Sequence, residues 1–584
     1  MDGGGRASGL KRGPQGQDVP LFERFELTPL GGGNEVGRSC LIMRYKGKTI
    51  MLDCGILPSF SGINSLPFLG ELNPSEVDVV FITHFHLDHA AALPYFTERL
   101  AGFRGRVFAT HATIACMKLM LSDFVRVTTV VTDDDKKNQL YDEKDIDRCI
   151  ARMEAVDFKQ KMTIDGARAP LSPVAAQRWG VRVAVAAQRR GAGAAAGAGR
   201  WAARAPARCP PRRARTIGVG SSNPAVCAQV AHPPPPPLPA GLQFMFFNAG
   251  HVLGAAMVLM EIGGVRTLYT GDYSCEEDRH LMAAEIPRAF SPDVLIVEAT
   301  YGMQVHESRE ERERRFTESV EKVVRRGGRC LIPVFALGRA QELLLVLDEY
   351  WAARPELQRI PIYFSSKLAS RSLEVYRTYI ASMNARLQAQ MGDRNPWDFR
   401  FVRSLAGPHE FRDEGPCVVL ASPGMLQSGF SRMLFDRWAE EPRNGVILAG
   451  YSVEGTLARK LETNPVEVES MQNRKLVRRI GVERVSFSGA CSCAVAWLHS
   501  SSHSRRTHVP WGGRTIARFR WIFDCAHRPT APPCMLAAHA DSLQTSAFVD
   551  ALQPPQIILV HGEKSEMRKL RDGLAKRMEG KVRC

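Results

Sequence analysis

The apolar positions of this 584-residue chain fall into short runs that end in polar loops, a pattern that predicts an α/β protein. "FELTPLGG", "SCLIMRY" and "TIMLDCG" predict strands near the N-terminus, with a tight turn at Lys46-Gly47-Lys48. "VDVVFIT" is apolar throughout, which predicts a strand buried on both faces. The chain contains no run of 18 apolar residues, so we expect no membrane span.

Three later segments each combine an apolar run, a glycine-containing loop and a helical pattern. This order predicts a layer of parallel strands covered by helices. The segments are "GGRCLIPVFALGRAQELLLVLDEYW", "GPCVVLASPGMLQSGFSRMLFDRWA" and "NGVILAGYSVEGTLARKL", and "PPQIILVHGEKSEMRKLRDGLAKRM" adds a final strand and helix.

Two arginine-rich stretches, residues 167–240 and 489–537, do not fit this pattern. They carry charges of +11 and +5, which account for the whole net charge of +16 and leave the rest of the chain neutral. The pI of 9.4 is therefore weak evidence for a polyanionic partner. We interpret both stretches as retained introns or gene-model artefacts, with genuine loops as the alternative; peptides from inside residues 167–240 would contradict the interpretation.

Composition gives two further expectations. Residues 1–21 are polar and glycine-rich without an apolar core, which predicts a disordered leader rather than a secretory signal. The 14 cysteines follow no repeated spacing, which favours a reducing compartment.

Candidate metal ligands follow the strand "VDVVFIT" directly. His84 and His86 project to one side of an extended segment, while Asp88 and His89 come later and can face a second point. Nitrogen and oxygen donors without cysteine suit a pair of Zn²⁺ ions in a hydrolytic site. Further ligands are expected at other strand ends, and the sequence offers His251, Asp272 and His561 in "NAGHVLGAA", "YTGDYS" and "LVHGE".

"HFHLDH", "GHVLGAA", "TGDYS" and "LVHGE" resemble the metallo-β-lactamase fold in its nucleic-acid-processing β-CASP branch. "GGGNEVGRSCLIM", "ASPGMLQSG" and "YSVEGTLARKL" are most similar to the endonuclease subunits of cleavage and polyadenylation complexes. The resemblance implies an α/β fold, a metallo-β-lactamase αββα sandwich with an inserted β-CASP α/β cap domain. The cap, at residues 303–484, would divide the sandwich into an N-terminal portion at 22–302 and a C-terminal portion at 485–584, after the leader at 1–21.

The resemblance also implies roles for individual residues. His84, His86 and His251 would hold one zinc ion, Asp88, His89 and His561 the second, and Asp272 would bridge the two. A histidine at position 561 is typical of RNA-directed members of the branch. His539 would act as the general acid for the leaving oxygen, with Glu298 orienting it. Asp53 matches an aspartate beside the metal loop, although a plain turn role explains it equally well.

The implied activity is that of a zinc-dependent endoribonuclease that cleaves pre-mRNA at the 3′-end processing site. Such a subunit would work in the nucleus with other cleavage and polyadenylation factor subunits, including a non-catalytic paralogue. The alternatives are an Integrator-type or RNase J-like β-CASP ribonuclease, a catalytically impaired scaffold paralogue, and a small-molecule hydrolase, which the large cap disfavours. Nothing in the sequence predicts which RNA site is cleaved.

The sequence departs from the family pattern at two places, and each departure predicts a change in the protein. Residues 489–537 end two positions before His539, so we expect them to disturb the placement of that side chain. The chain ends shortly after "GLAKRM", without the further C-terminal region of the family, so we expect altered assembly.

Gly338, Gly424 and Gly455 are predicted to open helices where backbone N–H groups could hold phosphates, although tight turns explain them equally well. His306 is interpreted as structural.

Overall fold

A computed structural model describes most of the chain outside the two arginine-rich stretches. The leader at 1–21 and the stretches at 167–240 and 489–537 lie outside the described residues, so the predictions for them stay predictions. The described residues are 24–128, 139–164, 241–365, 368–392, 394–405, 407–449, 456–485 and 539–578.

The first sheet has six strands in the order β1-β2-β3-β4-β5-β6. β1 pairs antiparallel with β2, β2 pairs antiparallel with β3 through the predicted turn at Lys46-Gly47, and β3 to β6 are parallel. The strands are β1 Glu26–Gly31, β2 Cys40–Tyr45, β3 Lys48–Leu52, β4 Val79–Phe81, β5 Arg106–Ala109 and β6 Met153–Ala155.

The second sheet has the order β20-β11-β10-β9-β8-β7. β7 pairs antiparallel with β8, with Ile164 opposite Leu242, although residues 167–240 separate these strands in sequence. β10, β11 and β20 are parallel neighbours. The strands are β7 Met162–Ile164, β8 Leu242–Asn248, β9 Ala256–Ile262, β10 Val265–Tyr269, β11 Val294–Glu298 and β20 Gln556–Val560.

These two sheets face each other across an apolar core. Phe81 of the first sheet lies 4.7 Å from Phe244 of the second, measured between ring centroids. Because side chains alternate along a strand, the neighbouring Val80 points to the opposite face, where it belongs to a second core with the helix residue Met117. The predicted αββα sandwich is therefore confirmed.

A third sheet forms a separate α/β layer, which we call the cap. Its six strands are parallel, in the order β14-β13-β15-β12-β16-β19, and it has its own core around Trp351 and Phe364. The strands are β12 Arg329–Pro333, β13 Ile362–Ser365, β14 Val402–Leu405, β15 Cys417–Ala421, β16 Gly445–Leu448 and β19 Gly481–Arg484, and β17 Glu467–Glu469 and β18 Lys475–Val477 form a hairpin beside it.

The helices of the described residues cover the sandwich and the cap, with α4 to α9 in the cap segment and the others on the sandwich. They are α1 Leu87–Ala90, α2 His111–Thr128, α3 Glu143–Arg152, α4 Arg309–Arg325, α5 Arg339–Ala352, α6 Ala369–Thr378, α7 Ala385–Gln390, α8 Gly429–Trp438, α9 Leu457–Glu462, α10 Ser542–Leu552 and α11 Lys564–Arg577. Across the described residues, no helix combines the length and the apolar character that a membrane crossing requires. The predicted domain boundaries stay predictions.

Candidate metal centre

The six-residue cluster, His84 to His89, lies where β4 ends and the chain turns into α1. His84 follows the strand closely, His86 is extended, and helix α1 starts at Leu87, so that Asp88 and His89 lie in its first turn. The carbonyl of His86 accepts the N–H of Ala90 and fixes this turn. None of the four candidate ligands in this cluster is more than 4% exposed, so their side chains face the protein interior rather than solvent.

Three histidine nitrogens of the first group converge on one point. His84 Nε2 and His86 Nδ1 lie 3.0 Å apart, and His251 Nε2 lies 3.2 Å from His86 Nδ1. Asp272 Oδ2 is 3.6 Å from the Nε2 atoms of His84 and His251. His251 and Asp272 come from the loops after β8 and β10, so three strand ends build this group.

The second group also contacts Asp272. His89 Nε2 is 3.2 Å from Asp272 Oδ2, and His561 Nδ1 is 3.4 Å from Asp272 Oδ1. Asp88 Oδ2 is 3.5 Å from His561 Nε2, which also accepts the backbone N–H of Gly37 at 3.2 Å. Asp272 therefore contacts both groups, as a bridging ligand would.

Burial and nearby charges shift the pKa values of these histidines in opposite directions. Burial lowers the pKa of His86 to about 4 and holds the pKa of His84 well below its usual range, so both rings are neutral near pH 7. Burial also opposes protonation of His89, but Asp272 and Asp53 outweigh it and raise the pKa of His89 well above its usual range. Neutral imidazole is the form that binds a metal ion.

The residues present fit a metal centre. Asp88 Oδ1 and Asp272 Oδ1 are buried and accept no hydrogen bond from any described residue. A buried carboxylate oxygen without a partner is costly, and a cation would satisfy it. The donors are imidazole nitrogens and carboxylate oxygens, the set expected of hydrolytic zinc sites. The arrangement therefore supports metal binding.

Asp53 lies behind the second group, directly after β3, with a positive φ of 60°. Its Oδ2 is 2.9 Å from His89 Nδ1 and accepts the Tyr269 hydroxyl at 2.8 Å. Its Oδ1 accepts the Thr83 backbone N–H at 2.7 Å. A carboxylate at Nδ1 leaves Nε2 of His89 to face the centre, which is how a positioning aspartate acts on a metal-binding histidine.

His539 and Glu298 form a pair beside the first group. His539 Nδ1 lies 2.7 Å from Glu298 Oε2 and 3.9 Å from Asp272 Oδ2. Glu298 ends β11, and its Oε1 accepts the Tyr273 backbone N–H at 2.8 Å. The expected displacement of His539 by residues 489–537 is wrong for this structure, because the Ala540 N–H bonds the Tyr273 carbonyl at 2.7 Å and holds the segment in place.

The structure bears on two predictions for the surrounding loops. The contacts of His306 agree with the structural role predicted for it, because its Nε2 lies 3.0 Å from the His539 carbonyl oxygen and its backbone N–H donates to Asp541 Oδ2. Gly424 does not open a helix, since α8 begins only at Gly429. Gly338 does immediately precede α5, while Gly455 lies outside the described residues.

Thr300, which follows β11 closely, was not among the residues predicted from the sequence. The Thr300 hydroxyl donates to Glu298 Oε2 and lies 3.1 Å from His561 Nδ1, so it connects the His539 pair to the second group. Its position two residues after a strand end was the available signal, but threonine is too common at such sites to stand out.

Comparisons with known proteins match three segments of the chain to sequence families. Residues 33–113 match the metallo-beta-lactamase superfamily, residues 340–461 the Beta-Casp domain, and residues 536–584 the Zn-dependent metallo-hydrolase RNA specificity domain. These segments contain the six-residue cluster, the cap helices from α5 to α9, and His539 with His561.

Several curated proteins are similar over nearly the whole chain. Cleavage and polyadenylation specificity factor subunit 3 of Dictyostelium discoideum is 41% identical over 97% of this chain and 56% of its own length. Cleavage and polyadenylation specificity factor 73 of Drosophila melanogaster is 39% identical over 95% of this chain and 62% of its own length. Endoribonuclease ysh1 of Schizosaccharomyces pombe is 39% identical over 98% of this chain and 58% of its own length.

The chain thus spans between 56% and 62% of the length of these three relatives. The αββα sandwich, the converging histidines and the three matching families agree with one another. The chain is therefore similar to the metallo-beta-lactamase superfamily over residues 33–113 and to the Beta-Casp domain over residues 340–461.

Proposed function

We propose that this chain is a zinc-dependent endoribonuclease that cleaves pre-mRNA at the 3′-end processing site. The observation that carries the proposal is the convergence on Asp272 of six side chains from three other strand-end loops. The names of its relatives, which include an endoribonuclease and cleavage and polyadenylation specificity factor subunits, support the same activity.

Two zinc ions fit the two groups of donors. His84, His86 and His251 would hold one ion, Asp88, His89 and His561 the second, and Asp272 would contact both. When bound, such a pair supplies a water molecule activated near neutral pH and positive charge for the phosphoryl transition state.

His539 would supply the proton that the leaving 3′-oxygen needs when the phosphodiester breaks. Because Nδ1 faces Glu298 at 2.7 Å, Nε2 is the atom that would donate this proton. The Glu298 carboxylate would orient the ring and stabilise its imidazolium form. Glu298 is held in turn by the Tyr273 N–H and the Thr300 hydroxyl, so the pair is preorganised.

RNA is the favoured substrate, because residues 536–584 match an RNA specificity domain that includes His539 and His561. By analogy with the named relatives, the protein would act in the nucleus with other cleavage and polyadenylation factor subunits, including a non-catalytic paralogue.

The test combines metal content with cleavage of a short labelled single-stranded RNA. We expect about two zinc ions per chain by elemental analysis, and cleavage products that end in 3′-hydroxyl and 5′-phosphate groups. Zinc without cleavage would favour the scaffold alternative, and cleavage that persists after complete zinc removal would contradict the proposed mechanism.

A further inference from the structure

A short segment after Asp272 connects the metal centre to the cap. We call this segment, residues 276–280, the tether. It starts four positions after Asp272 and runs along helices α4, α5 and α7 of the cap. No residue of the tether is among the candidate metal ligands. The tether instead contacts the cap through side-chain and backbone hydrogen bonds.

Arg279 makes the central contact between the tether and the cap. Its Nε donates to Glu313 Oε1 of α4 at 2.8 Å, and its Nη1 donates to Glu349 Oε2 of α5 at 2.5 Å. The Arg279 side chain is 23% exposed and that of Glu313 is 10% exposed, so the charges are partly shielded from solvent. Because a planar guanidinium donates hydrogen bonds in fixed directions, binding to carboxylates on two different helices holds the Arg279 side chain in one orientation.

The other tether residues are also bound by the cap. Arg312 donates to Glu276 Oε2 at 3.0 Å, and Arg309 donates to the Glu277 carbonyl at 3.1 Å. Asn384, the residue before α7, donates from its side chain to the Asp278 carbonyl at 3.1 Å. Its backbone N–H donates to the carbonyl of His280 at 2.9 Å, and Arg386 donates to the carbonyl of Arg279 at 3.2 Å.

Asp278 makes the tether itself rigid. Its buried Oδ1 accepts the backbone N–H groups of His280 at 2.7 Å and Leu281 at 2.6 Å. Burial opposes ionisation of this carboxyl, but His280 and Arg339 of α5 outweigh it and lower its pKa to about 2. The tether therefore holds one compact turn instead of acting as a loose linker.

The residues on both sides of the tether are locked to the metal loops. The Ala284 N–H donates to the Ser274 carbonyl at 2.7 Å, and the Ser274 N–H donates to the Ala249 carbonyl at 2.9 Å. Gly250, which precedes His251, has a positive φ of 70°, and a Cβ there would lie 2.5 Å from the Ser274 carbonyl oxygen. A cavity of about 10 Å³ is lined by His251, Asp278, His280 and Arg339, which places the tether, a candidate metal ligand and the cap around one point.

We infer that Arg279 is a positioning residue, which ties Asp272 and His251 to the position of the cap. Close-packed and hydrogen-bonded segments transmit a displacement instead of absorbing it. A shift of α4 and α5 therefore moves the tether and changes the geometry of both candidate ligands. Any RNA or partner that moves the cap would by this route alter how tightly the centre holds metal.

The inference rests on the proposed function only for its metal readout, so the first test uses metal-stripped protein. Arg279→Met removes the charge and keeps a side chain of similar reach. We expect faster amide hydrogen exchange, by about tenfold or more, at Tyr273, Ser274 and Ala284. In the zinc-loaded protein, we expect an affinity loss of about 10–100-fold, measured by chelator competition.

Arg329→Met is the matched control. Arg329 is also 23% exposed and pairs with Asp413, but this pair lies inside the cap and does not touch the tether. We expect wild-type exchange at Tyr273, Ser274 and Ala284 in this variant. Equal acceleration in both variants would mean general loosening of the cap and would overturn the inference.

Glu313→Gln tests the same contact from the cap side if Arg279→Met does not fold, and we expect a smaller change in the same direction. The double variant Arg279→Glu with Glu313→Arg should restore an ion pair between the two positions. Amide exchange at Tyr273, Ser274 and Ala284 should therefore be slower in it than in Arg279→Met. Unchanged exchange in Arg279→Met or Glu313→Gln would overturn the inference. If the wild-type protein binds no zinc, the proposed function fails, while the exchange experiment still tests the coupling.

Discussion

The sandwich and the cap both combine β-sheets with covering helices, and in both the loops follow strand ends. The two regions differ in the residues that these loops carry. In the sandwich, the loops after β4, β8, β10 and β20 present histidines and aspartates to one buried point. Among the described residues, every cluster of three or more groups that could hold a metal ion belongs to the sandwich. In the cap, Gly338 leads directly from a strand-end loop into helix α5.

An α/β fold alone therefore does not create a metal-binding site. Parallel strands bring their ends to one edge in both layers, but within the described residues the metal-binding donors gather at the sandwich edge. The cap contributes an independent apolar core and the contacts to the tether. Substitutions in the sandwich and in the cap should therefore separate metal chemistry from stability.

Asp272→Ala should abolish RNA cleavage and lower the bound zinc, because the carboxylate that contacts both donor groups is removed. Elemental analysis and a cleavage assay on the same preparation measure the effect. Asp157→Ala, at an exposed aspartate of the sandwich, is the control and should behave as wild type. Full zinc content in Asp272→Ala would contradict the bridging role.

His539→Ala should lower the cleavage rate by about 10²–10⁴-fold while zinc content and fold stay unchanged, as expected for loss of a general acid. Single-turnover cleavage measures the rate, and elemental analysis measures the zinc content. An equal loss of zinc in His539→Ala and His84→Ala would refute the separation between proton donor and metal ligand.

Asp53→Asn should weaken zinc binding by about 10–100-fold, because a neutral amide oxygen is a weaker acceptor than a carboxylate for the Nδ1 proton of His89. Chelator competition measures the affinity. Wild-type affinity in this variant would mean that Asp53 serves only the turn after β3, which was the alternative interpretation of the sequence.

Leu344→Ala, in the core of the cap, should cost about 2–5 kcal/mol of unfolding free energy because it leaves a cavity at a fully buried site. Its effect on zinc affinity should be the smallest of the series, since Leu344 belongs to the apolar core of the cap rather than to the tether or the centre. Denaturant unfolding and chelator competition give the two values. A zinc loss as large as that of Asp53→Asn would erase the contrast between the layers.

The sequence alone predicted the strand-end placement of the candidate ligands, because an apolar run followed at once by histidine or aspartate is a local signal. His84 to His89 could be recognised in this way without any knowledge of the rest of the chain. The same pattern repeated at His251, Asp272 and His561, and the structure brings all three to the six-residue cluster.

Contacts that join distant segments were beyond the sequence argument. The contact of His306 with His539 spans 233 positions, and no local pattern marks either residue for the other. Arg279 likewise sits in a charged loop that resembles many exposed loops, and only its two carboxylate partners on different helices distinguish it. The start of α8 at Gly429 instead of Gly424 reflects the difficulty of placing helix ends by glycine alone.

We propose that the two donor groups share Asp272 as the ligand between two ions. Crystals of the zinc-loaded protein, measured on both sides of the zinc absorption edge, test it directly. We expect two anomalous peaks about 3.5–4 Å apart, one beside His84, His86 and His251 and the other beside Asp88, His89 and His561. A single peak, or a peak remote from Asp272, would contradict it.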